Sequence, residues 1–161
     1  MSFEKKHDPQ TWDDLVFADT DVGDGLRGYA TGQTFDHILL HGPHGSGKSQ
    51  TAKVIVASSY GRPVSQAYFD IVEHVDEIKD AIRSWNVGGR FGITRMMYQT
   101  HRAYAIVQEV DAYDSKVQLK LRALMDTMTN SRFIFTTNHL ENVDKGIRNR
   151  CDCFELDVPK P

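Results

Sequence analysis

Short apolar runs alternate with amphipathic segments along most of this chain. Four runs bounded by turn residues predict buried strands: 35–41 (FDHILLH), 104–107 (YAIV), 132–136 (RFIFT) and 154–158 (FELDV). Helical patterns separate them, at 49–59, 76–85, from about 115 onward, and at 143–149. The three glycines of 86–92 predict a loop. Strands that alternate with helices predict an α/β domain whose mainly parallel sheet carries helices on both faces.

The helix that starts near Ser115 has the clearest periodicity. Its apolar residues recur at i, i+4, i+7, i+8 and i+11, as Val117, Leu121, Leu124, Met125 and Met128. One continuous stripe of this kind indicates core packing.

Composition excludes several classes of protein. The chain has 161 residues, 40% of them apolar and 25% charged, as in ordinary globular domains. No apolar run approaches the roughly 18 residues of a membrane span, and the start MSFEKKHDPQ lacks the apolar core of a signal peptide. We therefore expect a soluble cytoplasmic protein with no membrane partner. It should form one domain, in which an N-terminal segment and first helix region (1–34) pack on a core (35–161).

Cys151 and Cys153 are separated by one residue, which is too close for an ordinary intrachain disulfide. They also lack partners at zinc-ligand spacing. We expect reduced, partly buried residues on a strand.

Charge gives little support for extensive DNA binding. The formal net charge is −3, and residues 101–150 are only slightly basic, with 8 Lys and Arg against 6 Asp and Glu. Lys116, Lys120 and Arg122, with Arg148, could follow a DNA backbone. A solvated polar helix face is the simpler explanation.

The strongest chemical signal lies between the first strand and the next helix. It fits the pattern G-x-x-x-x-G-K-[ST] and consists of Gly42, Pro43, His44, Gly45, Ser46, Gly47, Lys48 and Ser49. Its glycines allow backbone N–H groups to surround a phosphate, which also meets the positive end of the helix. Lys48 would neutralise β- and γ-phosphate oxygens, and Ser49 would hold Mg²⁺. The motif predicts an ATP site with Mg²⁺.

A second strand should bring an acid to the metal, and only Ala105–Asp111 ends in carboxylates. The usual order is Asp, for the Mg²⁺ shell, followed by Glu, which orients the attacking water. Gln108 occupies the Asp position here, and Glu109 keeps the second role. A neutral amide brings no charge to the cation, so weaker Mg²⁺ retention or slower hydrolysis is expected. Alternatively, a shift of register places Glu109 on the metal.

Asn138 follows the third strand, 29 residues after Glu109. An amide at this place could position the water or contact the γ-phosphate. An Asn after a strand is also a common turn residue. Its expected position beside the Glu109 strand favours the functional role.

Taken together, these motifs resemble the AAA+ ATPases of the clamp-loader branch, which includes replication factor C small subunits and the T-even-type phage clamp-loader ATPase. The phosphate loop matches Walker A, 107–111 resembles a degenerate Walker B, and 136–138 resembles sensor 1. The segment 8–15 resembles the motif that precedes the ATPase core, and 147–151 resembles a segment that ends in Ser-Arg-Cys.

The resemblance implies that Arg150 is an arginine finger that reaches the γ-phosphate of a neighbouring subunit. The partners it implies are other AAA+ subunits, identical or different, together with a sliding clamp and primer-template DNA. ATP would drive subunit assembly and clamp opening. Two alternatives stay open: a non-hydrolysing structural subunit that binds ATP, and an AAA+ helicase loader or replication initiator.

Several residues depart from the family pattern. Gln108 replaces the Walker B Asp, Asp8 stands where Arg is common, and Asn149 stands where the Ser-Arg-Cys segment has Ser. The chain ends at Pro161, which leaves no residues for the family's helical lid and collar. Nucleotide affinity should be lower without a lid.

Overall fold

Five parallel strands form one sheet within residues 8–158, the part of the chain that the computed structural model describes. The order across the sheet is β2-β3-β4-β1-β5. The strands are β1 Ile38–His41, β2 Asp70–Val72, β3 Ala103–Val107, β4 Ser131–Thr137 and β5 Asp152–Glu155. Each neighbouring pair runs parallel, so the predicted mainly parallel sheet is confirmed.

Helices cover both faces of this sheet, as the sequence predicts. They are α1 Thr20–Ala30, α2 Lys48–Ser59, α3 Ile78–Asn86, α4 Gly89–Tyr98, α5 Ser115–Thr127 and α6 Lys145–Asn149. Apolar residues of α1 and α2 pack on one face, and those of α3 to α6 pack on the other. Within 8–158, none of these helices is long and apolar enough to cross a membrane.

Successive side chains along each strand point to opposite faces of the sheet, which produces two separate cores. In β1, Ile38 and Leu40 join the core under α1 and α2, whereas Leu39 joins the core on the opposite face. The residues of the predicted α5 stripe Val117–Met125 are buried in that second core, and Met128 packs against it. The stripe is therefore core packing, as predicted.

Strand β2 is absent from the four predicted strands. It has only three residues and starts with a charged one, Asp70. Burial raises the pKa of this carboxyl, and hydrogen bonds from Trp85 Nε1 (2.8 Å) and Arg90 Nε (2.6 Å) oppose part of that shift. The partners lie on α3 and α4, so the local apolar pattern gives no sign of them.

The predicted loop at 86–92 is wrong for most of its length. Asn86 ends α3, and Gly88, whose φ is +77°, provides a two-residue turn. The other two glycines lie within α4, which begins at Gly89 and continues to Tyr98. Packing of Phe91 in the core offsets the low helix propensity of these glycines.

Other differences concern boundaries. The last strand lies two or three residues earlier than predicted, and α6 begins at Lys145, where Asp144 caps it by accepting from Ile147 N (3.1 Å). Cys153 lies on β5 but is exposed, and Cys151 lies just before the strand and is half-buried.

Candidate active site

The glycine-rich loop joins the carboxyl end of β1 to the start of α2, as predicted. Gly42 has φ of +145°, and a Cβ there would lie 1.9 Å from the Leu156 carbonyl oxygen. The chain after β5 closes on the loop at this point, where Leu156 N donates to His41 O (2.7 Å). Only glycine fits between these two segments.

Helix α2 begins in a way that suits an anion. Its N-cap is Gly47, in the left-handed conformation, which offers no side-chain acceptor to the N–H groups of the first turn. By contrast, Asp side chains cap α1, α5 and α6. The unpaired N–H groups and the helix dipole both favour a phosphate at this end of α2.

Lys48 is the first residue of α2 and is buried. Its ammonium donates to Gly42 O (2.9 Å), Pro43 O (2.8 Å) and Ser46 Oγ (3.2 Å), so the charge lies inside the loop. Burial lowers the pKa of Lys48, and the carboxylates of Asp111 and Glu109 oppose that shift. Both acids therefore lie within electrostatic reach of the loop.

Strand order explains why these acids meet the loop. β4 lies between β1 and β3, with Thr137 opposite His41 and Phe135 opposite Val107. The strands are parallel, so their carboxyl ends share one edge of the sheet. Asn138 follows β4 and is half-buried at that edge, between the loop and the end of β3. The predicted site residues other than Arg150 lie at this edge.

Glu109 has an unusual backbone conformation, with φ of 52° and ψ of 51°. Its N–H donates to Thr136 Oγ1 (3.1 Å), which ties the turn after β3 to the neighbouring strand. The side chain is exposed. A non-glycine residue in this region costs about 1 to 3 kcal/mol, and such strain concentrates at functional sites.

Asp111 belongs to this edge too, although the predicted site omits it. Thr137 Oγ1 donates to Asp111 Oδ1 (2.6 Å), and the same hydroxyl accepts from His139 N (2.9 Å). Its effect on the pKa of Lys48 exceeds that of Glu109. Its position two residues after Glu109, with only buried Val110 between, is the signal that could have identified it.

Gln108 directly follows β3, beside the edge strand β2. Its N–H donates to Val72 O (3.1 Å), and its side chain is half-buried. The neutral amide therefore stands at the end of β3, and Asp111 provides a second carboxylate at the same edge.

Arg150 lies elsewhere. It is the C-cap of α6 and precedes β5, whose first residue, Asp152, pairs with Ile38 at the amino end of β1. The phosphate loop starts at the other end of that strand, about 10 Å away for a strand of this length. Arg150 therefore lies near the amino ends of the strands, whereas the phosphate loop of its own chain follows the carboxyl end of β1. This placement suits action on a neighbouring molecule.

The donor set is compatible with MgATP. Glycine backbone, the start of α2 and Lys48 suit a polyphosphate, and the Ser49 hydroxyl with the Glu109 and Asp111 carboxylates suits a hard cation. Within 8–158 no three His, Cys, Asp or Glu side chains are grouped closely enough to hold a metal by themselves. A Mg²⁺ ion here would depend on phosphate oxygens and water, as this ion commonly does.

Comparison with known proteins agrees with this geometry. A sequence model described as "ATPase family associated with various cellular activities (AAA)" matches residues 38–158. The chain belongs to the AAA family. The match begins at the first residue of β1 and includes the loop, Glu109, Asn138 and Arg150.

The relatives confirm the predicted resemblance to replication factor C small subunits. The chain is 28% identical over 157 residues to the replication factor C small subunit of Haloarcula marismortui, covering 94% of this chain and 46% of the relative. It is 29% identical over 169 residues to that of Archaeoglobus fulgidus (97% and 49%). Replication factor C subunit 5 of Homo sapiens is 27% identical over 173 residues (99% and 49%). The chain spans about half the length of these relatives.

A solved structure of Thermotoga maritima RuvB, a point variant, shares the fold. The TM-score is 0.66 at 16% identity, covering 94% of this chain and 48% of that one. This likeness supports the AAA P-loop fold. The individual roles of Gln108, Glu109, Asn138 and Arg150 stay predictions.

Proposed function

We propose that this chain is the ATP-binding and ATP-hydrolysing part of a DNA-replication clamp loader. The observation that carries the proposal is the meeting of the Lys48 loop, Glu109 and Asn138 at one edge of the sheet, with Arg150 at the opposite edge. ATP would drive association of subunits and opening of a sliding clamp for loading on primer-template DNA.

In this proposal different residues of the chain bind the phosphates, orient the water and stabilise the transition state. The loop N–H groups and Lys48 bind the β- and γ-phosphates. Ser49 would hold Mg²⁺, which would supply positive charge to the phosphate oxygens. Glu109 orients the water for attack in line with the leaving oxygen, and Asn138 holds that water or a γ-phosphate oxygen. Arg150 of the next subunit stabilises charge in the transition state, an effect worth about 10³-fold or more in rate.

Asp111 takes a further part in this scheme. It supplies a negative charge near Lys48 that Gln108 does not, and the hydrogen bond from Thr137 fixes its carboxylate. Asp111 therefore compensates in part for the amide at position 108. Asp111→Asn should raise the Mg²⁺ concentration that half-maximal turnover requires.

The first experiment compares nucleotide binding and turnover in matched lysine variants. Lys48→Ala should abolish MgATP hydrolysis and weaken ATP binding. Lys53→Ala, on the same helix α2, removes only a pair with Glu73 (3.8 Å) and should leave both unchanged. Equal ATP affinity in the wild type and in Lys48→Ala would reject the proposed site.

Gln108 favours a second candidate, a structural subunit that binds ATP without hydrolysing it. This candidate shares every nucleotide contact and differs only in turnover. Tight MgATP binding with no turnover at any protein concentration would support it, most clearly if Gln108→Asp then restored hydrolysis.

Stimulation of hydrolysis can show which partner the ATPase acts on. A clamp-loading function predicts that a sliding clamp increases hydrolysis in the presence of primer-template DNA, whereas a helicase loader or initiator would not respond to the clamp. Lys116 and Lys120 are exposed on α5 and could contact the DNA backbone. Arg122 is less available, because it pairs with Asp144 (3.4 Å).

A further inference from the structure

Arg150 is held within its own chain by Asp126, near the end of α5. Arg150 Nε donates to Asp126 Oδ1 (2.7 Å) and Nη2 donates to Oδ2 (3.0 Å), which is a two-point contact along one edge of the guanidinium. Nη1 donates to Gly146 O (2.9 Å), one turn back on α6. The resulting contact joins α5, α6 and the turn before β5.

Five N–H groups surround a guanidinium, and these contacts use three of them. Within residues 8–158, one N–H on Nη1 and one on Nη2 have no hydrogen-bond partner. The Arg150 side chain is 35% exposed, so the group is accessible while its orientation is fixed. Two N–H groups are enough to contact two oxygens of a phosphate.

The contact also affects the pKa of Asp126. Hydrogen bonding and charge from Arg150 hold the pKa of the Asp126 carboxyl below its usual range.

We propose that Asp126 is a positioning residue, which orients Arg150 so that its two free N–H groups meet the γ-phosphate bound by a neighbouring chain. This inference rests on the proposed function, in which Arg150 acts in trans. Asp126 itself touches no substrate. Its effect should therefore appear in the subunit that donates the arginine and be absent from the subunit that binds the ATP.

Mixing two inactive variants tests this directly. A Lys48→Ala chain cannot hydrolyse ATP but still donates Arg150. An Arg150→Ala chain binds ATP but lacks the finger. Their mixture should regain part of the wild-type MgATP turnover, because an intact site and an intact finger meet at some interfaces.

Asp126→Asn is then placed in one chain at a time. In the Lys48→Ala chain it should lower the kcat of the mixture about tenfold, the effect expected from loss of a charge-assisted hydrogen bond. The KM for ATP should not change, since the finger acts in the transition state. In the Arg150→Ala chain it should have no effect. Asp126→Glu in the donor should restore part of the loss, because a carboxylate is kept.

Asp80→Asn is the matched control. It removes another exposed ion pair, with Arg83 at 3.5 Å. Both variants should remain folded with a single cooperative thermal transition, because one partly exposed ion pair is a small part of the total stability.

Each outcome is decisive. Unchanged turnover with Asp126→Asn in the donor overturns the inference, and so does an equal loss in whichever chain carries it, which indicates a structural role. If the two parent variants regain no turnover when mixed, the trans role of Arg150 fails, and the inference falls with it.

Discussion

His37 provides a quantitative test of how the sheet is built. It lies just before β1, is only 9% exposed, and stacks on Phe133 with 6.1 Å between ring centroids. Its Nδ1 accepts a hydrogen bond from Phe133 N (3.0 Å) of β4. Burial, helped by the positive charge of Arg132, lowers the pKa of His37 from 6.5 to about 4.

The sign of the pH effect follows from this lowered pKa. Above pH 6.5 the imidazole is neutral in both the folded and unfolded chains. As the pH falls below 6.5, the unfolded chain binds a proton that the folded chain does not, so folding stability is lost until about pH 4. The loss due to His37 should be about 2 kcal/mol at pH 5 and about 3 kcal/mol at pH 4.

The assay is urea unfolding of the wild type and His37→Asn between pH 8 and pH 4. Asn Oδ1 can accept the bond from Phe133 N and does not titrate in this range. At pH 7 the variant should be less stable, because it loses ring packing, but the difference should shrink by about 3 kcal/mol by pH 4. Half-buried His41 also has a lowered pKa, and its effect cancels in the comparison. Parallel stability curves for the two proteins would refute the reasoning.

Four further predictions concern the site. Gln108→Asp should raise kcat severalfold at limiting Mg²⁺, while Glu109→Gln should lower kcat about 100-fold or more and keep ATP binding. Steady-state hydrolysis with Mg²⁺ titration checks both, and equal rates in wild type and Glu109→Gln would contradict the role of Glu109. Gly42→Ala should reduce the free energy of unfolding by about 3 kcal/mol, since its Cβ would meet a carbonyl oxygen. Gly45→Ala, with φ of +83° and open space, should cost about 1 to 2 kcal/mol in the same urea titration, and equal losses would argue against the close approach. Glu109→Asn should be more stable than Glu109→Gln by about 0.5 to 1 kcal/mol, because Asn tolerates left-handed backbone; the reverse order in urea unfolding would exclude strain at this position.

Features that depend on neighbours in the chain were predictable from the sequence. The loop 42–49 combines its glycines, Lys48 and Ser49 within eight residues, so strand, turn and helix could be placed together. β1, β3 and β4 contain unbroken apolar runs because both of their faces are buried.

Features that depend on distant contacts were not predictable in this way. Asp70 opens β2 with a buried carboxyl that accepts hydrogen bonds from Trp85 and Arg90. Similarly, Asp111 joins the site through Thr137 of the next strand, and Asp126 meets Arg150 across 24 residues. A local pattern of apolar residues contains no information about such partners.

The most direct test of the account is MgATP turnover per chain, measured over a wide range of protein concentration. A site completed by Arg150 of a neighbour predicts that specific activity rises with concentration in the wild type and in Arg83→Ala, an exposed arginine control, and is lost in Arg150→Ala. Specific activity that is constant with concentration and survives Arg150→Ala would contradict the account, because each chain would then hydrolyse ATP alone.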